Sequence, residues 1–317
     1  MLILTQEQAT KIDCKAQKAL TRYLKLYGLH DIVMGISGGI DSSVVAAIAK
    51  RTADTLSSQG YSVNLHCYFI DIESHPEDYE RAKALCNALD LKLEYHDFTA
   101  WYQSCPLLET IPEGHPRARV AKGNIKCRLR MVGLMHYAQL ESGIYLDTDD
   151  LSEKYMGFFT KHGDEGDVKI IQIFTKNEVY DMGEFYKLPQ INLDAIPGDG
   201  LKVTDSNKAS DQLGLPYLKG DYIICRLKQL GFKTEGGFNQ LENKLYRYQI
   251  KIVASEIGET EEKVEKILRQ ALKTAFKRRY GDNVCSVLNS RRRLGLPEID
   301  TIEFGKLYLE AIKKLPK

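Results

Sequence analysis

The 317-residue sequence lacks the features that mark a membrane protein or a secreted, disulfide-rich protein. No apolar run approaches the roughly 20 residues that a membrane-spanning helix needs. The first residues, Met1 to Cys14, alternate polar and charged side chains and show no signal-peptide pattern. The seven cysteines are scattered, odd in number and never spaced as CxxC, so neither a disulfide framework nor a zinc site is expected. We therefore predict reduced thiols and a cytoplasmic location.

The chain also has little excess charge of either sign. Its formal net charge is +1, so bulk electrostatics gives no reason to expect a nucleic-acid or membrane partner. Hydrophobic residues make up 43% and charged residues 27%, which is typical of a globular protein. The length allows one large α/β domain or two small domains.

Apolar periodicity predicts helices that alternate with short strands. The predicted helices cover residues 6–28, 41–51, 76–89 and 123–141, and the predicted strands cover 31–36, 62–70, 91–98 and 143–146. This alternation predicts an α/β fold with a doubly wound parallel sheet, whose ligands bind at the carboxyl ends of the strands. From about residue 234 the chain becomes helical and charged, with an amphipathic stretch over 260–279 and an irregular, arginine-rich stretch over 281–297. We predict a core over residues 1–233 and a helical C-terminal region over 234–317, without a clear linker.

A glycine loop, Ser37-Gly-Gly-Ile-Asp-Ser-Ser43, joins the first predicted strand to the next helix. Its glycines let backbone amides approach a phosphate, and the start of the helix attracts the anion. The three serines add hydroxyl donors, and Asp41 can hold a Mg²⁺ ion that bridges phosphate oxygens. A bare Gly-Gly pair would suggest only a tight turn, but the full string is more specific. It lacks the ending of a Walker A loop and resembles the SGGxDS pyrophosphate loop of the ATP-pyrophosphatase (PP-loop) superfamily.

Further blocks follow the loop in a fixed order. They are Gly123-Asn-Ile-Lys-Cys-Arg-Leu-Arg-Met131, Leu146-Asp-Thr-Asp-Asp-Leu-Ser-Glu153, Gly157-Phe-Phe-Thr-Lys161 and Phe174-Thr-Lys176. The series is similar to the motifs of the NAD synthetase family, approximately GNxxARxRM, GTxxxSE, GYFTKxGD and a further lysine. The resemblance covers about residues 30 to 230, and it implies that residues 1–233 form a PP-loop ATP-binding synthetase core.

The resemblance also implies roles for individual residues. ATP would be bound by Gly35, Ile36, Ser37, Gly38, Gly39, Ile40, Asp41, Ser42, Ser43, Thr148 and Lys176. Asp41 and Glu153 would hold Mg²⁺, and Arg128, Lys161, Asp167 and Lys277 would contact deamido-NAD. Asp41, Lys161 and Lys176 are the expected catalytic residues.

Several alternatives stay open from the sequence. Arg128 and Arg130 cannot share a helix face, so one can reach a ligand while the other pairs internally. The segment Phe276-Lys-Arg-Arg279 either closes the site or is the solvated end of a helix, and Asn289-Ser-Arg-Arg-Arg293 is the other candidate for closing it. Met131, Leu134, Met135 and Ala138 form an apolar stripe for a dimer interface or for burial within the monomer. Ser152 is explained by a helix cap.

Some positions depart from the family pattern. Asp147 stands where the family has glycine, Pro197-Gly198 lacks an expected hydroxyl, and residues 71–76 lack the PYxTQxDE pattern. One residue is also missing between Lys161 and Asp167.

The predicted function is ATP-dependent amidation of deamido-NAD by ammonia through an acyl-adenylate. The alternatives are a related enzyme that amidates a different carboxylate and a non-catalytic nucleotide-binding relative. No glutaminase domain is expected, so ammonia would be free or supplied by a separate glutaminase. A homodimer is expected by resemblance.

Overall fold

The computed structural model describes residues 1–163, 165–198, 201, 208–234, 236–278 and 285–315. Across these residues, six parallel strands form one sheet in the order β3-β2-β1-β4-β5-β6. The strands are β1 Asp31–Gly35, β2 Asn64–Asp71, β3 Leu93–Asp97, β4 Ile144–Asp147, β5 Val168–Lys169 and β6 Cys285–Ser286. The predicted doubly wound α/β fold is therefore confirmed.

Helices flank and extend this sheet. They are α1 Gln6–Tyr27, α2 Ile40–Ser57, α3 Pro76–Ala88, α4 Thr99–Gln103, α5 Ala118–Leu140, α6 Leu151–Met156, α7 Lys176–Phe185, α8 Gln190–Leu193, α9 Ala209–Leu213, α10 Tyr217–Gln229, α11 Lys244–Ile257, α12 Glu261–Lys273, α13 Arg291–Leu294 and α14 Ile302–Lys313. Short 3₁₀ turns cover Pro106–Leu108, Phe238–Glu242 and Ala275–Lys277. Local signals explain several boundaries: Thr5 and Gln8 form a capping box at the start of α1, and Gly28 ends it in the left-handed conformation.

The C-terminal part of the chain also contributes to the sheet. Val168 and Lys169 of β5 pair with Cys285 and Ser286 of β6 in parallel register. The prediction of irregular structure over 281–297 is thus wrong at these two residues and again at Arg291–Leu294, which form α13, while residues 281–284 lie outside the described part of the chain. A two-residue strand carries too little sequence pattern to be detected, and it exists only because β5 supplies its partner.

Buried apolar side chains form three clusters. The largest packs α1, α2 and α7 on the sheet, and a small one packs α5 against β1, β2 and β4. The remaining cluster contains apolar side chains of α9 to α12 and α14, together with Met156. Helices α9 and α10 share this last cluster with the C-terminal helices. One apolar cluster therefore spans residue 233, where the predicted core and the predicted C-terminal region meet.

The apolar stripe on α5 lies inside the monomer. Leu134 and Ala138 are buried, and Met131 and Met135 are half-buried against the same cluster. Of the two interpretations of the stripe, the structure supports burial within the monomer for Leu134 and Ala138, and a dimer interface stays a prediction. None of the described helices combines the length and apolar character that crossing a membrane requires.

Candidate active site

The sheet reverses its direction of winding between β1 and β4. These strands are neighbours, yet the chain passes from β1 toward β2 and from β4 toward β5 on the other side. The loop 36–39 follows β1, and residues 148–150 follow β4. A crevice at the carboxyl ends of two such strands is the usual ligand position in open α/β sheets.

The glycine loop forms one wall of this crevice. The Ile36 amide donates to the Tyr68 carbonyl at 2.8 Å, which extends the β1–β2 pairing into the loop. Ser42 Oγ and Ser43 Oγ donate to the Gly39 carbonyl at 3.1 and 2.7 Å. Helix α2 begins after Gly39 with no side-chain cap from the described residues, so its first amides are open to an anion.

Asn192 supports the glycine loop through its buried side-chain amide, a role that the sequence did not indicate. Its side chain is fully buried, and Nδ2 lies 3.5 Å from the Gly38 carbonyl and 3.3 Å from Ser43 Oγ. The same amide donates to the carbonyl of Arg81 at 3.1 Å. A single side chain thus joins the loop, α2 and α3.

Three carboxylates and one lysine converge beside the loop. Lys176 Nζ lies 2.6 Å from Asp41 Oδ2, 2.9 Å from Asp150 Oδ2 and 2.8 Å from Glu153 Oε1. Asp41 is in the first turn of α2, Lys176 starts α7, and Asp150 and Glu153 form the capping box of α6. We call these four residues the carboxylate–lysine cluster. Asp150 was missed by the sequence analysis, although an Asp three residues before a Glu is a helix-start signal.

The charges in this cluster are unbalanced, because three carboxylates face one ammonium group. Burial, with the nearby Asp41 charge, raises the pKa of Glu153 to about 7. Burial also raises the pKa of Asp150 well above its ordinary value. For Lys176 burial acts downward, but the three carboxylates outweigh it and raise its pKa.

The donor set fits a hard divalent cation such as Mg²⁺. Carboxylate oxygens of Asp41, Asp150 and Glu153 all lie within 4.8 Å of one another. Asp41 Oδ1 is buried and has no hydrogen-bond partner among the described residues. An acceptor left in this state is costly unless a ligand satisfies it.

Ser152 connects the cluster to α10. Its Oγ accepts the Lys176 backbone amide at 2.9 Å and donates to Asp221 Oδ2 at 2.8 Å. Burial raises the pKa of Asp221 well above its ordinary value. Asp150 caps α6, whereas Ser152 accepts the first backbone amide of α7, so the predicted capping role of Ser152 falls on a helix other than its own.

Arg128 and Lys161 are in contact with each other. Arg128 is exposed, and its Nη2 donates to the Lys161 carbonyl at 3.3 Å. Arg130 instead donates to the Ile70 carbonyl and to Ser74 Oγ, both at 3.2 Å. Of the two arginines, Arg128 is therefore the one that faces solvent and Arg130 the one that pairs internally.

Thr148 and Asp167 lie at different ends of the neighbouring strands. Thr148 directly follows β4 at the crevice and is half-buried. Asp167 precedes β5, and its Oδ2 accepts the Tyr145 amide of β4 at 2.9 Å. The structure therefore does not bring Asp167 into the carboxylate–lysine cluster.

Lys277 and Arg278 hold the loop that follows α6 and the last turn of α6, respectively. Lys277 Nζ donates to the carbonyls of Gly157, at 2.8 Å, and of Phe159. Arg278 donates to the carbonyls of Lys154 and Tyr155 at 3.2 and 3.0 Å. The interpretation as a solvated helix end is therefore wrong for Lys277 and Arg278, whose cations are held by backbone carbonyls, while Arg279 lies outside the described residues.

The alternative basic segment, 289–293, lies elsewhere. Arg291 is buried and forms a bidentate ion pair with Glu178, with both N–O distances at 2.7 Å. It also donates to the carbonyls of Ile173 and Pro297. The hypothesis that Asn289 to Arg293 closes the site is wrong for Arg291, whose buried guanidinium group makes four hydrogen bonds within the protein.

Two of the departures from the family pattern, Asp147 and the stretch 71–76, have local structural roles. Asp147 is buried, accepts the amides of Asp149 and Gly166 at 2.8 and 3.0 Å, and lies 3.5 Å from Lys169 Nζ. Burial raises its pKa to about 6.

In the stretch 71–76, Asp71 accepts the Ser74 amide and the Tyr95 hydroxyl, both at 2.8 Å. Gly198 is exposed in an irregular segment.

Comparison with known proteins identifies relatives of this chain. The chain is 35% identical over 242 residues to the NH3-dependent NAD+ synthetase of Pyrobaculum aerophilum, covering 72% of this chain and 84% of the relative. It is 34% identical over 206 residues to the enzyme of the same name from Mannheimia succiniciproducens, covering 63% and 77%.

Solved structures show the same fold at lower identity. NMN synthetase from Francisella tularensis matches with a TM-score of 0.64 and 22% identity, over 85% of this chain and 95% of that one. NH3-dependent NAD synthetase from Campylobacter jejuni matches with a TM-score of 0.60 and 21% identity, over 85% and 96%. The family model described as NAD synthase matches residues 14–281. The chain therefore belongs to the NAD synthase family.

Proposed function

We propose that this protein amidates deamido-NAD with ammonia at the expense of ATP, giving NAD, AMP and pyrophosphate. The observation that carries the proposal is the carboxylate–lysine cluster beside the uncapped start of α2. Its position at the reversal point of the sheet and the family of the chain both agree with this chemistry.

The chemistry requires activation because a carboxylate does not react with ammonia at a useful rate. The substrate carboxylate attacks the α-phosphorus of ATP, and the resulting acyl-adenylate loses AMP when ammonia attacks its carbonyl carbon. The amides of the glycine loop and of the first turn of α2 hold the departing pyrophosphate. Lys176 offsets the negative charge that develops on the phosphates. Mg²⁺ held by Asp41, Asp150 and Glu153 would supply further charge to phosphate oxygens.

Contacts to the dinucleotide are assigned first to Arg128 and Lys161. These residues contact each other, Arg128 is exposed and Lys161 is partly exposed, which supports the assignment. Lys277 and Asp167 are included on the family resemblance, with the condition that Lys277 exchange a backbone carbonyl for the substrate. No covalent nucleophile is required for this reaction.

The assembly and the surroundings of the enzyme are part of the same proposal. We propose a cytoplasmic homodimer that takes free ammonia or ammonia from a separate glutaminase. Leu134 and Ala138 of the α5 stripe are already buried within the monomer, so these two side chains are not available to its interface. A monomer by light scattering at micromolar concentration would contradict the dimer.

The decisive experiment is a product analysis by mass spectrometry. The protein is incubated with Mg-ATP, ammonium and deamido-NAD, and we expect NAD, AMP and pyrophosphate in equal amounts. Omission of ammonium and the variant Glu153→Gln are the controls, and both should abolish NAD formation. ADP and phosphate as products would contradict the proposal.

A second candidate function is amidation of a different carboxylate by the same adenylation. The departures at Asp147 and Gly198 favour it, since they alter positions where the family carries glycine and a hydroxyl residue. In the same assay this enzyme would release pyrophosphate slowly, without dependence on deamido-NAD and without forming NAD.

A further inference from the structure

Lys176 occupies the point at which the three carboxylates of the cluster converge. Its Nζ is within 2.9 Å of an oxygen from each of Asp41, Asp150 and Glu153, and its side chain is only 3% exposed. An ion coordinated by the same oxygens would lie about 2.1 Å from each of them, which is nearly the position of Nζ. Two cations cannot share this space, because their repulsion is strong away from bulk water.

We propose that Lys176 and a divalent cation are alternative occupants of the carboxylate–lysine cluster. In the metal-free protein the ammonium group holds the three carboxylates together. When the metal is bound, Lys176 Nζ moves to the triphosphate of ATP, and Asp150 becomes a third metal ligand beside Asp41 and Glu153. This inference rests on the proposed function and adds an exchange step to it.

The coordination of Asp150 supports its part in the exchange. Oδ1 accepts the Glu153 amide at 2.8 Å and so caps α6, while Oδ2 faces the cluster. This Oδ2 is buried and lies 2.9 Å from Lys176 Nζ, but in a direction that makes no hydrogen bond. Asp41 Oδ1 is also buried, and none of the described residues donates a hydrogen bond to it. One ammonium group therefore leaves two carboxylate oxygens unsatisfied, and a cation with several coordination positions would satisfy them.

The distance that Lys176 has to move is short. Asp41 lies in the first turn of α2, whose open amides form the proposed phosphate site. The Nζ that contacts Asp41 is thus already beside the place where an anion would bind. Lys176 is the first residue of α7, and its backbone amide stays bound to Ser152 Oγ. A change of side-chain rotamer is sufficient, with the helix kept in position.

The exchange makes metal and nucleotide binding depend on each other. Without ATP, a metal ion has to displace an ammonium group that has no other anion to bind. With ATP, the released ammonium group finds phosphate oxygens. We expect weak metal binding by the protein alone and stronger binding when ATP is present.

The test is a titration of the full chain with Mn²⁺ in the absence of nucleotide, followed by electron paramagnetic resonance. Lys176→Met should bind Mn²⁺ at least about tenfold more tightly than the wild type, because the competing charge is gone. The matched control is Lys126→Met, which removes another buried lysine whose carboxylate partner, Glu73, lies outside the cluster. Its Mn²⁺ affinity should equal that of the wild type. Equal affinities of Lys176→Met and wild type would overturn the exchange.

Asp150→Asn tests the third ligand without removing the helix cap, because asparagine also caps helices well. In the Lys176→Met background it should weaken Mn²⁺ binding at least about tenfold, since one of three carboxylate charges is lost. Unchanged affinity would exclude Asp150 as a ligand.

A measurement on the wild type covers the case in which Lys176→Met does not fold. Reductive methylation followed by peptide mass spectrometry should label Lys176 faster when Mg²⁺ is added without ATP, whereas labelling of Lys126 stays constant. Unchanged labelling of Lys176 at saturating Mg²⁺ would contradict the exchange.

Failure of these metal experiments leaves the product assay unaffected. A positive metal result without NAD formation would keep the exchange and overturn the proposed substrate.

Discussion

At the scale of single residues, Gly38 is restricted by two separate features of the glycine loop. Its φ is +81°, a region that side chains with a Cβ rarely adopt. A Cβ atom at this position would also lie 2.3 Å from the Asp78 carbonyl oxygen in α3. The loop can therefore approach α3 only with glycine at this position.

Comparison of the variants Gly38→Ala and Gly60→Ala separates the effect of the positive φ from the effect of the close contact with Asp78. Gly60 has a φ of +77°, and a Cβ there would have no neighbour within 4 Å. We expect Gly60→Ala to cost only backbone strain, about 1 kcal/mol of unfolding free energy in urea denaturation. Gly38→Ala should cost clearly more and raise the KM for ATP, because α3 or the loop has to shift. Equal destabilisation by both variants would contradict the close approach to Asp78.

Lys161 provides the residue-scale test of the dinucleotide side. Lys161→Ala leaves the backbone carbonyl that Arg128 contacts and removes only the ammonium group. We expect the KM for deamido-NAD to rise by the equivalent of roughly 1.5–3 kcal/mol, with little change in the KM for ATP. Lys161→Arg keeps the positive charge and should recover most of the affinity. Parallel increases in both KM values would assign Lys161 to another role.

At the scale of secondary structure, α7 is the element that positions Lys176. Asp181 accepts the amides of Leu2, Ile3 and Leu4, each at 2.6 Å. The hydroxyls of Thr175 and Tyr308 are hydrogen-bonded, which ties the start of α7 to α14. The buried pair of Glu178 and Arg291 adds a third anchor. Residues from both ends of the described chain thus hold the helix that carries the site lysine.

Arg291→Met tests the last of these anchors. It leaves the fully buried carboxylate of Glu178 without its partner, and we expect a loss of about 3–5 kcal/mol in unfolding free energy. Arg292→Met, at the exposed neighbouring position, should change stability by no more than about 0.5 kcal/mol. Urea denaturation of both variants gives the comparison. Similar values for the two would show that the buried pair does not anchor α7.

At the scale of the whole molecule, Asp147 makes part of the folding free energy depend on pH. Burial raises its pKa from 3.8 to about 6, so between these pH values the folded state holds a proton that the unfolded state releases. The contribution of Asp147 is therefore complete below about pH 4 and is lost as the pH rises through 6. Replacing Asp147 by a residue that does not titrate should remove this dependence of the folding free energy on pH.

The measurement compares Asp147→Asn with the wild type by urea denaturation from pH 4 to 7. The stability of the wild type relative to the variant should fall over this range by about 2–3 kcal/mol. A difference that does not change with pH would contradict the raised pKa.

The sequence by itself determined the family, the α/β class and the glycine loop. These depend on local patterns: helices and strands follow apolar periodicity, and Ser37 to Ser43 lie together in the chain. The structure also brings Asp41, Glu153 and Lys176 together, while their individual roles stay predictions.

Only the tertiary structure decided which polar groups meet. Three examples of such contacts join residues more than 100 positions apart in the sequence. They are the hydrogen bond between Asn192 and Ser43, the ion pair between Arg291 and Glu178, and the pairing of β6 with β5. Lys277 belongs to a basic sequence segment, yet its ammonium group contacts the carbonyls of a loop near residue 157. Sequence patterns encode the period of an element and its capping residues. The partner of a buried charge depends on how distant elements pack, and no local pattern contains that information.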